Sequence, residues 1–397
     1  MKKNNTLPGA ALLIVLALLC GKTRAQVTDS TRTTGMEVKT FYSKILGEKR
    51  KIDIQTPAHM NAFDTYPVLY VLDGEAQTVM VGGQVQYLSD IYKIIPNLIV
   101  VGIENTDRMR DLTPSHSIVG PDGKPDTSSR APGRNSGGGE NFLQFIHSEL
   151  MPYIESHYPA SSYRLLTGHS LGALMAVYCL LHHPDYFNAY IAISPSLQWD
   201  NNALLREAAT MPLAKGLNHT LLFFSDANED SAFHQNQLAL ESLLQKQSSS
   251  GLRWKRLFYP GEIHTSEPVK AFYDGIRFVY PDWFLPYNSA AFKKSMRSST
   301  ILAHYEELSK LYGYKVLPPH GDMNQLARFM SRDPQRVTDA IELLQVNATN
   351  YPRSAAVQEI MGDIYLKQDN TQEAKAAYQK ALVLDPDNEA LKRKINH

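Results

Sequence analysis

The sequence predicts an α/β fold: a mostly parallel central sheet flanked by helices, followed by a small all-α region at the C-terminal end. Three observations carry this. Apolar runs of strand length at residues 67–72, 98–103, 189–194 and 220–225 alternate with stretches of helical spacing. Runs without polar alternation suit strands covered by helices on both faces, as in parallel sheets. Second, Gly168-His169-Ser170-Leu171-Gly172 joins the short run Leu165-Leu166 to an apolar helical stretch at 173–181. Third, Gly362, Tyr365, Ala374, Tyr378, Ala381 and Pro386 recur at the spacing of a 34-residue tetratricopeptide unit that begins at Ala355.

Taken in order, residues 1–25 read as a cleaved secretory signal. Lys2-Lys3 precede a short apolar stretch, and Thr23-Arg24-Ala25 supplies small residues around a cleavage point. Export is the expectation, with no transmembrane segment in the mature chain. Lipidation at Cys20 is disfavoured, because Ala17-Leu18-Leu19 lacks small residues just before the cysteine. Removal of the signal leaves Cys179 alone, so no disulfide forms within the mature chain. Lys+Arg and Asp+Glu both number 40, a balance that gives no basis for binding nucleic acid.

Residues 26–35 are polar and predict no element. Residues 37–42 and 50–56 alternate around Leu46-Gly47-Glu48 and predict a hairpin. The run 67–72 ends in Asp73-Gly74-Glu75, either a plain turn or a loop whose Gly74 or Glu75 amide meets an oxyanion. The run 98–103 opens into a charged stretch. There Arg108 and Arg110 are candidates to clamp a carboxylate or an acidic phenol, or else to pair with Asp107 and Asp111. Residues 115–140 form a long loop; no Gly-Lys-Ser/Thr follows its three glycines, so they do not read as a phosphate cradle. Residues 141–153 have helical spacing.

Gly-x-Ser-x-Gly between a strand and a helix is the pattern of a nucleophile elbow. Its tight turn pushes Ser170 out at the carboxyl end of the sheet and presents the Leu171 amide. Past residue 225 stand Asp226, Glu229 and Asp230, three candidates for an orienting acid. After the helical stretch 233–247 and the last strand 253–259 comes His264, on the loop where a general base belongs. Trp199, on the loop after 189–194, offers a ring to an aromatic substrate. Further along, 299–311 is helical and 313–320 a linker. Residues 321–354 make a degenerate first repeat, with Arg328 in place of the glycine.

Residues 38–279 resemble the esterase branch of the α/β-hydrolases. That branch includes trilactone esterases of catecholate siderophores, feruloyl and acetylxylan esterases, and S-formylglutathione hydrolases. The carrying stretches are YPVLYVLDGE (66–75), NTDRMRDLTP (105–114), GHSLGALMA (168–176), SPSLQWD (194–200) and PGEIHTSEP (260–268). They look most like exported siderophore-esterase-like members. The resemblance implies a serine esterase with Ser170 as nucleophile, His264 as base, and oxyanion donors at Gly74 or Glu75 and at Leu171, with no metal or cofactor. It selects Glu229 as the acid, since the family's acid falls a few residues past the strand. Asp226 and Asp230 remain substitutes, and some members use a serine–histidine pair. Ala173 and Thr265 replace glycines common in the family and narrow the expected pocket. The resulting division is a signal at 1–25, an esterase domain at 26–297, a helix and linker at 298–320, and repeats at 321–397. Two rivals accompany this reading: a feruloyl or acetyl esterase on plant polysaccharides, and a non-catalytic protein that binds a partner through its repeats.

Overall fold

The structure, a computed structural model, describes residues 28–31, 36–119, 124–128, 131–283, 285 and 296–396. The signal segment and Cys20 lie outside the described residues.

The strands are β1 (Thr28–Thr31), β2 (Glu37–Ser43), β3 (Glu48–Gln55), β4 (Tyr66–Val71), β5 (Ile99–Ile103), β6 (Ala160–His169), β7 (Ala189–Ile193), β8 (Leu221–Ala227) and β9 (Arg253–Tyr259). They form one sheet in the order β1-β2-β3-β5-β4-β6-β7-β8-β9. The pairs from β1 to β3, and β3 with β5, are antiparallel. All other pairs are parallel. β1 is a strand that the polar run 26–35 gave no reason to expect. It pairs with β2 from Thr28 opposite Thr40 to Thr31 opposite Glu37, and an edge ladder of backbone groups needs no apolar side chains.

β4 shows why its sequence is apolar throughout. Val68 and Tyr70, with Leu72 beyond, join one core layer with the helix Leu171–His182. Leu69 and Val71 point the other way, into a layer with the helices Gly74–Gln86 and Glu267–Val279. Alternate side chains leave opposite faces of a strand, so both faces here are buried.

The second layer continues into the C-terminal helices Ser298–Tyr312, His320–Met330, Val337–Asn350 and Ala355–Leu366 through Ile301, Tyr312, Met323, Leu343 and Ile360. Two contacts fix where these helices dock. The Tyr312 hydroxyl donates to the Val279 carbonyl at 3.1 Å, with the ring edge-on to Tyr163. The His320 amide donates to Asp64 Oδ1 at 3.3 Å. Asp64 and Tyr163 lie at the starts of β4 and β6, so docking occurs at the amino ends of the parallel strands. A cavity of about 780 Å³ opens there, lined by Phe63, Tyr66, Trp283, Tyr314 and Tyr351 among others.

The helices Ala355–Leu366 and Thr371–Leu384 realise the repeat pattern. A Cβ on Gly362 would come within 2.4 Å of the Tyr378 ring, so the small residue lets the two helices approach. Among the described residues, no helix is long and apolar enough to cross a membrane.

Candidate active site

β6 ends at His169, and the helix Leu171–His182 begins one residue later. Ser170 makes that turn alone, at φ 61° and ψ −116°. A side chain rarely adopts such a conformation, and it persists only when the surroundings over-determine it. They do so here. The Ser170 amide donates to the Ile193 carbonyl at 3.0 Å, and the Ser170 carbonyl takes the amides of Leu174 and Ser196 at 2.9 and 3.1 Å. Gly168 is required because a Cβ there would stand 2.4 Å from the Gly172 carbonyl carbon. The Ser170 hydroxyl is hydrogen-bonded to Ser196 Oγ at 3.0 Å.

His264 lies at the same end of the sheet. Its ring contacts that of His169 at 4.4 Å and meets Phe233 edge-on. His264 Nδ1 faces Glu229 Oε2 at 3.1 Å. The loops carrying these residues are tied together by the Asn228 amide, which donates to the Glu262 carbonyl at 2.9 Å. Burial, aided by the neighbouring His264 and Arg108, pushes the His169 pKa down to about 4, so this imidazole is neutral at pH 7.

The three acid candidates separate by partner. Asp226 is fully buried and pairs with Arg256 at 2.7 Å and His234 at 2.5 Å. Asp230 caps the helix Ser231–Lys246 by accepting from the Phe233 amide at 2.9 Å. Only Glu229 of the three faces His264.

The stretch Asp73-Gly74-Glu75 is not an open loop. Asp73 alone makes the turn, at φ 55°, and a helix starts at Gly74. The amides of Gly74 and Glu75, like that of Leu171, therefore lie in a first helical turn, where N–H groups have no intrahelical acceptor. The Asp73 carboxylate holds Arg108 in a fork, Nε at 2.7 Å and Nη2 at 2.9 Å, and also takes Asn105 Nδ2 at 2.7 Å.

Arg110 has a partner within the protein for every nitrogen of its guanidinium. Its Nε donates to Asp111 at 2.7 Å, and its two terminal nitrogens to Glu48 at 3.0 and 2.7 Å and to Thr106. Burial works against the Glu48 charge, yet Arg110, Thr106 and Arg50 hold its pKa at about 2. Arg110 thus pairs with Asp111, the alternative the sequence offered, whereas Arg108 turns to Asp73 and Asp107 caps the Arg110 amide and accepts from Asn135.

Trp199 Nε1 donates to the Ser115 carbonyl at 3.2 Å. The ring stands before three consecutive left-handed residues, Asp200, Asn201 and Asn202, with φ of 51°, 53° and 60°. Asp and Asn are the side chains that tolerate this region best.

Sequence reasoning missed Ser194, Ser196 and Glu267. Ser194 Oγ hydrogen-bonds to Glu229 Oε1 at 2.8 Å and to Glu267 Oε2. Glu267 is fully buried at the start of its helix. A signal for the serines was present in Ser194-Pro195-Ser196 after an apolar strand, whereas nothing local marks Glu267.

Comparison with known proteins places the chain in a family. A family model described as "Putative esterase" matches residues 43–254, and a tetratricopeptide repeat-like domain matches 324–397. The ferri-bacillibactin esterase BesA of Bacillus subtilis is 28% identical over 288 residues, which is 66% of this chain and 95% of that protein. An IroE-like serine hydrolase from Shewanella oneidensis superposes with a TM-score of 0.69 at 31% identity, covering 78% of this chain and 99% of its own. An uncharacterised protein from Capnocytophaga ochracea shares the fold over 94% of this chain and all of its own, with a TM-score of 0.58 at 17% identity. The esterase model takes in the elbow, the strands around it and the loop bearing Glu229, more than half of the sequence; the chain belongs to that esterase family.

Proposed function

We propose that the chain is an exported serine esterase that cleaves carboxylic esters through an acyl-serine, with catecholate siderophore lactones as its substrate class. The observation that carries the mechanism is the Glu229–His264 contact at the sheet end that also bears the Ser170 elbow. With Nδ1 turned to Glu229, His264 has Nε2 left to take the Ser170 proton as Oγ attacks the ester carbonyl. The amides of Leu171 and of Gly74 or Glu75 supply donors for the tetrahedral oxyanion. Protonated His264 then gives its proton to the leaving alcohol, and water attacks the acyl-serine through the same histidine.

The substrate class rests on the relatives. BesA is named for ferri-bacillibactin, and its alignment spans nearly its whole length. Trp199 offers a ring face to a catechol, and Arg108 a cation to its phenolate oxygens. Export rests on the pattern of residues 1–25. We take residues 26–297 as the catalytic unit, with the repeats from 321 onward as a surface for a protein partner.

The test is hydrolysis of ferric and metal-free catecholate trilactones beside feruloyl sugars and acetylated xylan, with products identified by mass. Trilactone opening by the wild type, lost in Ser170→Ala, is expected. Hydrolysis confined to the plant esters would transfer the substrate class to polysaccharides. A folded Ser170→Ala protein with wild-type turnover would remove the mechanism.

A further inference from the structure

Ser194 occupies a position its hydrogen count does not allow unless one of its neighbours is protonated. Its hydroxyl carries one hydrogen, yet Oγ is within hydrogen-bond distance of two carboxyl groups, Glu229 and Glu267. Both contacts can be hydrogen bonds only if a second proton sits on one of the carboxyl groups. Glu229 turns its other oxygen to His264 Nδ1 at 3.1 Å, a nitrogen with no partner at hydrogen-bonding geometry among the described residues, so an ionised Glu229 has a donor to accept from there, whereas the second oxygen of Glu267 faces none. The extra proton therefore belongs to Glu267.

The surroundings of Glu267 agree. It is fully buried, and among the described residues its Oε1 has no partner at hydrogen-bonding geometry. The groups facing it are Ser194 after β7, Ser225, Asp226 and Glu229 from β8 and the turn beyond, and Tyr259 from β9. None of these five contributes a positive charge, and two are carboxylates. The Arg256 guanidinium and the His234 ring nearby are turned to Asp226, and the Tyr259 hydroxyl to Asp274. The helix N-terminus at Glu267 favours an anion, but burial outweighs it and pushes the pKa up to about 7.

We propose that Glu267 is a neutral carboxylic acid that donates to Ser194 Oγ, so that the Ser194 hydroxyl proton is directed to Glu229. The chain of donors runs from Glu267 to Ser194 to Glu229, and Glu229 faces His264. Glu267 is thus a positioning residue: it acts on the reaction through the carboxylate that orients the base. The inference rests on the roles given above to Ser170, Glu229 and His264. It also sets a pH dependence. Loss of the Glu267 proton leaves two carboxylates competing for one hydroxyl hydrogen, and Glu229 loses part of its hold.

The experiment is kcat and KM for a small aryl ester across pH, on wild type, Glu267→Gln, Glu267→Leu, Ser194→Ala and the Ser194→Ala/Glu267→Gln pair. An amide keeps a donor for Ser194 and cannot titrate. Glu267→Gln should therefore hold kcat within about twofold at pH 6 and remove the roughly fivefold decline expected of the wild type toward pH 8. Glu267→Leu should lose about fivefold in kcat with KM unchanged, the scale of one hydrogen bond. In the Ser194→Ala background the glutamine should change nothing further, because the coupling passes through Ser194. Infrared difference spectra should show a protonated-carboxyl stretch in the wild type near pH 6 that is absent from Glu267→Gln. An alkaline decline retained in Glu267→Gln, an undiminished effect without Ser194, or identical infrared spectra would each overturn the proposal. Ser170→Ala and His264→Ala serve as controls; if either keeps wild-type turnover, the failure lies in the underlying mechanism instead.

Discussion

Glu229 reaches His264 Nδ1 at 3.1 Å with one carboxylate oxygen while the other accepts the Ser194 hydroxyl at 2.8 Å. Both oxygens are thereby fixed, and the carboxylate has one orientation toward the imidazole. Glu229→Gln should lower kcat by about a hundredfold or more, because the amide can present a donor where the ring needs an acceptor. Asp230→Asn keeps a capping oxygen and should leave kcat within about threefold. Asp226→Asn leaves the half-buried Arg256 with Glu241 as its one carboxylate partner, so its cost should appear in thermal stability before kcat. Parallel kcat and melting measurements on the three variants check this, and an Asp226→Asn defect larger than that of Glu229→Gln would reassign the acid.

The two arginines of the charged loop should behave differently. Arg108 keeps Nη1 without a partner among the described residues, whereas every nitrogen of Arg110 donates within the protein. Arg108→Met should raise KM for a phenolate-bearing ester relative to a neutral one of the same size. Arg110→Met should change neither KM and should instead lower the melting temperature, since Glu48 loses the first of the three partners that keep it ionised. A selective KM effect from Arg110 would contradict the structural role given to it.

Glu267 should make stability fall as pH rises from about 4.5 to about 7. Its folded pKa, near 7, stands above the ordinary carboxyl value of 4.5. In that interval the native state holds a proton that the unfolded chain has released, so raising pH favours unfolding. The contribution is complete below the lower value and lost above the upper. Glu267→Gln should flatten this part of the curve of melting temperature against pH; an unchanged slope would mean that other groups produce it.

Deletion of residues 321–397 should keep small aryl-ester turnover within roughly tenfold, an allowance of about 1.4 kcal/mol in the barrier. The deleted helices meet Phe63 through Tyr351 and Lys93 through Asp322, ahead of β4 and β5 and so at the amino ends of the parallel strands, whereas Ser170, Glu229 and His264 stand at the carboxyl ends. Stability should fall markedly, since Met323, Ala327 and Leu343 share a core layer with Tyr312 and Phe272. The checks are kcat for the small ester and the melting temperature of the truncated protein. A hundredfold loss of turnover in a folded truncation would tie the helices to the site.

The buried strands and the elbow were legible because their signals are local: a run of apolar residues, or five residues whose turn geometry is forced. Ser170 and His264 followed from order along the chain, Glu229 was chosen among three acids through the family resemblance, and the structure brings Glu229 and His264 into contact. What was illegible is set by pairings distant in sequence. Glu48 at the start of β3 meets Arg110 in the short helix Arg108–Asp111, and Ser194 meets Glu267 where a strand end faces a helix start. Neither pairing leaves a periodicity or motif in the chain. β1 escaped notice for a different reason, since its hydrogen bonds come from the backbone and its composition is that of a loop.

The position of the docked helices also bears on how the chain is made. Synthesis runs from the amino end, so all nine strands and the residues of the active site emerge before Met323 does. During that interval the helix bearing Ile301, Tyr305 and Tyr312 lacks the helix Val337–Asn350 that packs against it, and the nascent protein carries a wet apolar ledge on an otherwise finished sheet. Such surface invites chaperones and proteases. A chain cut short by a premature stop keeps its ledge permanently, and can be recognised as incomplete even though its chemistry is already assembled.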